Sequence, residues 1–266
     1  MDPNAYRIVE SFIKSLEEVN RVIQERNPDC IAAPMFGAVP FIDVLNIIDP
    51  TFPNDKVEYI PASNKVYRLR EVLRGTFENL IDAHTPNGGS FLSLDEVVSG
   101  NSLVRVFKQF DAARTNYANK KTVQTYMREA DFTKEHVRAF RDSVTDGITY
   151  NSIGVVDSKL RRQKKEMIGE YDELVSKGIV IPVNTECIVT MDRRGYFPAR
   201  YKEVQNAEGA ILYLPVVDEF SVSSEYIDFL KRVSEVLGKN TSEVTVSNMG
   251  KIRDCYKWVP APLRTL

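Results

Sequence analysis

The stretch Phe91–Leu103 reads Phe-Leu-Ser-Leu-Asp-Glu-Val-Val-Ser-Gly-Asn-Ser-Leu, and it is the most informative segment of this chain. An apolar run ends in two adjacent carboxylates, Asp95 and Glu96, and the polar turn Ser99–Ser102 then leads into a helical pattern. A strand, a glycine-containing turn and a helix start occur in this order at α/β nucleotide sites. Such a turn binds anions, and the carboxylates can accept hydrogen bonds from a sugar diol or hold a divalent cation. The alternative is an ordinary strand-turn-helix with a solvated acidic edge.

The same patterns predict the architecture of the whole chain. Apolar runs predict further strands near residues 30–33, 57–60 and 148–156, with helical patterns between them. This alternation predicts an α/β fold, an open and mostly parallel Rossmann-type sheet flanked by helices. The acidic strand should lie at the centre of the sheet because its run is apolar on both faces.

Two regions fall outside this simple alternation. Polar helical patterns occupy about residues 114–146 and predict a helical insertion. We expect residues 1–160 to form the core with this insertion, and residues 161–266 to form a C-terminal β/α extension packed on the core. Within the extension, the patterns predict strands near 179–183, 186–191 and 209–217 and a helix near 222–237.

Composition excludes several classes of function. The net charge is −2, which gives no support for general binding to nucleic acid or to a membrane surface. The chain has no run of about 18 apolar residues, so no spanning helix is expected, and the N-terminus lacks a secretory pattern. Three widely spaced cysteines predict reduced thiols and a cytoplasmic location, and two histidines without a close cysteine pair argue against zinc. The basic cluster at 159–165 could contact nucleic acid, but a solvated helix face is the favoured interpretation.

A second candidate loop follows the first predicted strand and reads Pro34-Met35-Phe36-Gly37-Ala38-Val39-Pro40. Its small residues, Gly37 and Ala38, would let the backbone approach a ligand closely. The alternative is a tight strand-to-helix turn with no ligand. Between the two loops, the segment Ala62–Arg70 carries several cations.

Together these motifs resemble the type I phosphoribosyltransferases, which use 5-phosphoribosyl 1-pyrophosphate (PRPP). The resemblance covers residues 28–113, and more weakly extends to about 157. It implies that Asp95 and Glu96 bind the ribose hydroxyls, with Mg²⁺ held directly or indirectly by the same two carboxylates. It also implies a 5′-phosphate site formed by Ser99, Gly100, Asn101 and Ser102.

The resemblance assigns two further groups of residues. The pyrophosphate would lie against the first loop and the cationic segment, at Phe36, Gly37, Ala38, Lys65 and Arg68. An interleaved aromatic and basic stretch later in the chain is the candidate acceptor-binding hood, because aromatic faces stack on planar rings and guanidinium groups hold anions. Its members are Arg193, Arg194, Tyr196 and Phe197, and the alternative is a hairpin whose aromatic rings pack on the core.

The expected function is therefore phosphoribosyl transfer from PRPP to a nitrogenous base or related acceptor, with release of pyrophosphate. The partners would be small molecules, and the chain could form a homo-oligomer. A competing hypothesis is a nucleotide- or PRPP-binding regulator that keeps the fold without turnover, favoured by the absence of a basic residue from the first loop. A third is a Rossmann-like protein that does not bind PRPP.

Overall fold

The computed structural model describes residues 3–35, 37–62, 70–127, 133–157, 168–185, 201–205, 211–215, 222–244, 246 and 248–255. Seven strands occur in this part of the chain: β1 Cys30–Pro34, β2 Val57–Ile60, β3 Gly89–Val97, β4 Ile148–Asp157, β5 Val180–Thr185, β6 Tyr201–Gln205 and β7 Ile211–Pro215. Its α-helices are α1 Pro3–Arg26, α2 Val39–Ile48, α3 Arg70–His84, α4 Asn101–Tyr126, α5 Lys134–Asp146, α6 Gly169–Ser176, α7 Ser224–Val236 and α8 Met249–Asp254. Short 3-10 turns cover Asn54–Lys56 and Thr241–Glu243.

The main sheet has five parallel strands in the order β2-β1-β3-β4-β5. The α/β class, the parallel sheet and the central position of the acidic strand, β3, are therefore confirmed. The predicted strands near 30–33, 57–60, 90–94 and 148–156 are present as β1 to β4. The sheet takes its fifth strand, β5, from beyond residue 160, so the sheet itself extends into the segment predicted as an extension. Strands β6 and β7 form a separate antiparallel pair.

Helices cover both faces of the sheet. Alternate residues of each strand point to opposite sides, and the apolar ones enter a separate core on each face. Leu92 and Leu94 of β3 belong to the core on the side of α1, α2 and α7. Phe91 of β3 belongs to the core on the side of α3 and α4. The apolar face of α1 shows why these helices dock: Phe12, Leu16, Val19 and Ile23 recur every three or four residues and are fully buried.

The helix after β3 is longer than the sequence pattern predicts. We expect it to end near Ala113, but α4 continues without interruption to Tyr126, a length of 26 residues. Neither Gly nor Pro occurs within α4, and Ala113 and Ala118 are buried along its length. Helix α5 then packs on the end of α4, where the rings of Tyr126 and Phe140 meet edge to face with centroids 5.6 Å apart. Among the described residues, no helix combines the length and the apolar character that crossing a bilayer would require.

Candidate functional site

The candidate site lies where the chain reverses its winding direction across the sheet, between β1 and β3. The loop after β1 leads to α2 on one face, and the loop after β3 leads to α4 on the other face. Pairing between β1 and β3 stops at Ala32 and Ser93, whereas β3 stays paired with β4 as far as Val97. The carboxyl ends of β1 and β3 therefore border a crevice, and open α/β sheets bind ligands at such a switch point.

The two predicted loops meet in this crevice. A β-carbon built at Gly37 would lie 2.6 Å from Oδ1 of Asp95, a distance that real β-carbons do not tolerate. The absence of a β-carbon at residue 37 therefore lets the first loop approach the carboxylate this closely. Ala38 follows as a buried residue that leads directly into α2.

Asp95 is a buried carboxylic acid with several polar partners. Its Oδ1 accepts a hydrogen bond of 2.9 Å from the backbone N–H of Glu96. Burial raises the pKa of Asp95 to about 7, although the hydroxyl of Ser102, the Glu96 N–H and the positive charge of Arg105 act in the opposite direction. The side chain can therefore exist as an acid or as a carboxylate near neutral pH.

Glu96 is oriented differently from its neighbour. Strand β3 stays in regular register through Val97, so residues 95 and 96 point to opposite faces of the sheet. Asp95 lies on the face covered by α4, and Glu96 lies half-buried on the face of α1 and α2. Gly37, Ser102 and Arg105 therefore gather around Asp95.

The turn after β3 has the geometry of an anion site. Gly100 adopts a left-handed conformation with φ of 78° and begins α4 without a hydrogen bond from a capping side chain. The helical hydrogen bonds start with Val104 N–H to Gly100 C=O at 3.1 Å. The earlier N–H groups of the first turn have no helical acceptor and lie at the positive end of the helix dipole.

Helix α6 supports this turn from outside. A β-carbon at Gly100 would lie 2.6 Å from the ring of Tyr171, so the ring packs directly against the glycine. The backbone N–H of Ile168 donates to Ser99 C=O at 3.3 Å, and the side chain of Asn101 donates to Ser99 Oγ at 3.2 Å. These contacts stabilise the conformation of the turn.

The structure thus brings Gly37, Ala38, Asp95 and the turn Ser99–Ser102 to one edge of the sheet, with Glu96 on the opposite face of β3. The other predicted site residues lie outside the described part of the chain: Phe36, Lys65 and Arg68 of the pyrophosphate site, and Arg193, Arg194, Tyr196 and Phe197 of the acceptor site.

Magnesium stays a prediction. Within the described ranges, no group of three or more His, Cys, Asp or Glu side chains is placed to hold a metal ion. Because Asp95 and Glu96 diverge, the indirect form of the prediction fits better, in which Mg²⁺ is held mainly by water and ligand phosphate oxygens.

Sequence reasoning missed two residues of the site. Arg105 lies three residues after Ser102 on α4, and its guanidinium donates to the Ala62 carbonyl while its charge acts on Asp95. Helical spacing from the turn could have revealed it. Tyr171 lies about 70 residues after the turn, and no local pattern predicts its contact with Gly100.

An open groove of about 610 Å³ lies elsewhere, between α1 and the carboxyl end of β5. None of the residues around Asp95 lines it. The site is therefore defined by convergent polar groups and close backbone contacts, not by this groove.

Comparison of the chain with protein-family models, with curated proteins and with solved structures found no match in any of the three.

Proposed function

We propose that the protein binds a 5-phosphorylated ribose in the crevice between β1 and β3 and transfers the phosphoribosyl group of PRPP to a nitrogenous base. The observation that carries the proposal is the convergence of Gly37, Asp95 and the start of α4 at the switch point of the sheet. Ligands of doubly wound α/β proteins bind at this position.

The phosphate would lie at the start of α4. The first-turn N–H groups supply hydrogen-bond donors, and the helix dipole favours an anion there. Ser99, Asn101 and Ser102 add polar side chains around the left-handed Gly100. The Tyr171 ring packs against Gly100 and so supports the turn.

The ribose would lie over Asp95. In its ionised form this carboxylate accepts hydrogen bonds from the sugar hydroxyls, and these charge-assisted bonds are stronger in a buried site than in water. The hydroxyl of Ser102 and the Glu96 N–H already hold the carboxylate in place. Little reorganisation is needed when the ligand binds.

The proposed transfer exchanges one bond at the anomeric carbon of the ribose for another. The bond between the anomeric carbon and the pyrophosphate oxygen breaks, and pyrophosphate leaves with the bonding electrons. A nitrogen of the base forms the new bond to the anomeric carbon and then loses its proton to solvent. The sugar becomes positively charged between these events, so a fixed carboxylate near the ring stabilises the transition state more than the ground state.

A specific observation also favours the second function, a PRPP- or nucleotide-binding regulator without turnover. The first loop, Pro34–Pro40, contains no cationic residue. A departing pyrophosphate carries a high negative charge, and a loop without a cation gives it less electrostatic stabilisation. Such a protein would use the same phosphate turn and the same Asp95 to bind its ligand.

A pair of assays tests the proposal and separates the two functions. Calorimetric titration with PRPP, with and without Mg²⁺, measures binding, and pyrophosphate release in the presence of purine and pyrimidine bases measures transfer. We expect PRPP binding under either function and base-dependent pyrophosphate release only from a transferase. Failure to bind both PRPP and ribose 5-phosphate would overturn the proposed site.

A further inference from the structure

A cluster of three buried hydroxyl groups lies beneath Asp95. Ser93 of β3 and Ser152 of β4 are directly opposite each other in the sheet, and Tyr150 precedes Ser152 by two residues on the same face. This is the face that α4 covers. Ser93 precedes Asp95 by two residues on β3, so the serines lie on the same face as Asp95, farther from the carboxyl end of the strands.

These hydroxyls are removed from solvent. The exposed fraction of the residue is 0% for Ser93, 1% for Ser152 and 8% for Tyr150. Two aromatic rings of α4 cover the cluster on this face of the sheet. The ring centroids are 4.6 Å apart for Phe110 and Tyr150 and 5.8 Å apart for Phe107 and Tyr150. Protein cores packed in this way contain few voids larger than a water molecule.

The three hydroxyl groups belong to neighbouring side chains on one face of the sheet, but they do not satisfy one another. Burial raises the pKa of Tyr150, and the hydroxyls of Ser93 and Ser152 act in the opposite direction, as expected for neighbours on the same face of the sheet. Nevertheless, among the described residues none of the three oxygens has a partner with hydrogen-bond geometry. A buried hydroxyl without a partner destabilises a fold, and buried polar groups in proteins are almost always satisfied by protein or by ordered water.

We propose that Ser93, Ser152 and Tyr150 together bind an internal water molecule that bridges β3 and β4 beneath the candidate site. One water accepts and donates up to four hydrogen bonds, and buried waters typically have about three partners. Three hydroxyls from two neighbouring strands supply that number. The bound water ties the two central strands together one step below Asp95, independently of which ligand binds above.

The serines also explain a break in the sequence pattern. Ser93 interrupts an otherwise apolar strand at the centre of the sheet. A polar residue there is tolerated when it has a partner, and the bridging water provides one for Ser93 and Ser152 at the same time. The sheet thus keeps two buried serines in register at its centre.

A high-resolution crystal structure of the unaltered protein tests the proposal directly. We expect an ordered water within hydrogen-bonding distance of Ser93 Oγ, Ser152 Oγ and the Tyr150 hydroxyl oxygen. A map in which the three hydroxyls bond directly to one another, with no density between them, would overturn it.

Equilibrium unfolding provides an independent test. Tyr150→Phe and Ser152→Ala should each raise the unfolding equilibrium constant by about fivefold, the effect of one neutral hydrogen bond. In the double variant, the unfolding equilibrium constant should rise by less than the product of the two single-variant factors, because the first substitution already disrupts the shared water.

The control pair combines Tyr150→Phe with Thr122→Val. The Thr122 hydroxyl donates to the Ala118 carbonyl at 2.7 Å, far along α4 from the cluster, and shares no partner with Tyr150. For this control pair, the factor for the double variant should equal the product of the two single-variant factors in the unfolding equilibrium constant. If the factors for Tyr150→Phe and Ser152→Ala also multiply in their double variant, the proposal of a shared water is contradicted.

Discussion

Gly37 lies against Asp95, so closely that a β-carbon at residue 37 would come within 2.6 Å of the carboxylate Oδ1. This contact joins the loop after β1 to the end of β3, two segments about 60 residues apart in the chain. It makes the identity of residue 37 a direct probe of the candidate site.

The first prediction is that Gly37→Ala displaces Asp95 or the loop. Either movement should destabilise the fold by about 1–3 kcal/mol, as overpacking does, and should weaken binding of PRPP or ribose 5-phosphate. Denaturant unfolding and calorimetry measure the two effects. The control is Gly75→Ala in α3, where the new methyl group meets nothing within 4 Å and should stabilise the helix by about 0.5–1 kcal/mol. Wild-type affinity in Gly37→Ala would show that the contact does not form the site.

The second prediction concerns the turn at Gly100. Gly100→Ala combines a left-handed φ of 78° with a collision against the Tyr171 ring. Gly178→Ala provides a matched control, because its φ is 67° and its new methyl group meets nothing within 4 Å. Backbone strain alone should destabilise Gly178→Ala by about 1–2 kcal/mol. Gly100→Ala should be clearly less stable than that, and equal losses in denaturant unfolding would rule out the ring contact.

The third prediction is a pH dependence of stability. Burial raises the pKa of Asp95 from 3.8 to about 7, so the folded protein holds this proton more tightly than the unfolded chain does. The contribution of Asp95 to stability is therefore fully present at low pH and falls as pH rises from about 4 to 7, by at most on the order of 4 kcal/mol.

Asp95→Asn removes the titrating proton and tests this dependence. The difference in unfolding free energy between the wild type and this variant should change between pH 4 and 7 and level off above pH 7. Asp142→Asn on α5, which alters an exposed carboxylate, serves as the control. If the difference in unfolding free energy between wild type and Asp95→Asn is constant across this pH range, Asp95 does not have a raised pKa in the folded protein.

The fourth prediction concerns a buried hydrogen bond that joins the C-terminal helix α7 to α2. The hydroxyl of Tyr226 on α7 donates to Asp43 Oδ2 on α2 at 2.6 Å, and both residues are buried. Tyr226→Phe should destabilise the protein by about 1.5–3 kcal/mol, because the bond is made to a buried carboxyl. Tyr6→Phe, at an exposed position of α1, should change stability by less than about 0.5 kcal/mol. Similar losses for the two variants would contradict the role of this hydrogen bond.

Much of the fold follows from local sequence. The strands β1 to β4 are predictable because short apolar runs end at Pro, Gly or polar turns, and β3 is predictably central because both of its faces are apolar. Helix α7 is predictable from the spacing of Tyr226, Phe229, Leu230 and Val233, all buried in the structure.

The end of α4 is less predictable. Beyond Ala113 the helix loses its strong apolar pattern, and its continuation depends on packing against α3 and α5.

The site divides in the same way. The position of the turn at Ser99–Ser102 and the closeness of the Gly37 loop follow from motif order and parallel topology. The divergence of Asp95 and Glu96 does not, because it depends on strand register continuing through Val97. The Tyr171 ring reaches the site through a tertiary contact from α6, a segment that carries no motif of its own. Arg105, in contrast, lies on α4 at helical spacing from the turn, although its hydrogen bond to the Ala62 carbonyl is a tertiary contact.

The proposed ribose site at Asp95 is tested by calorimetric titration of PRPP into wild type, Asp95→Asn and the Asp142→Asn control. Asp95→Asn keeps the shape of the side chain but replaces a charge-assisted acceptor with a neutral amide. Wild type and Asp142→Asn should bind PRPP equally, and Asp95→Asn should lose about 1.5–3 kcal/mol, or roughly one to two decades of affinity. Equal affinities for all three proteins would contradict a ribose site at Asp95.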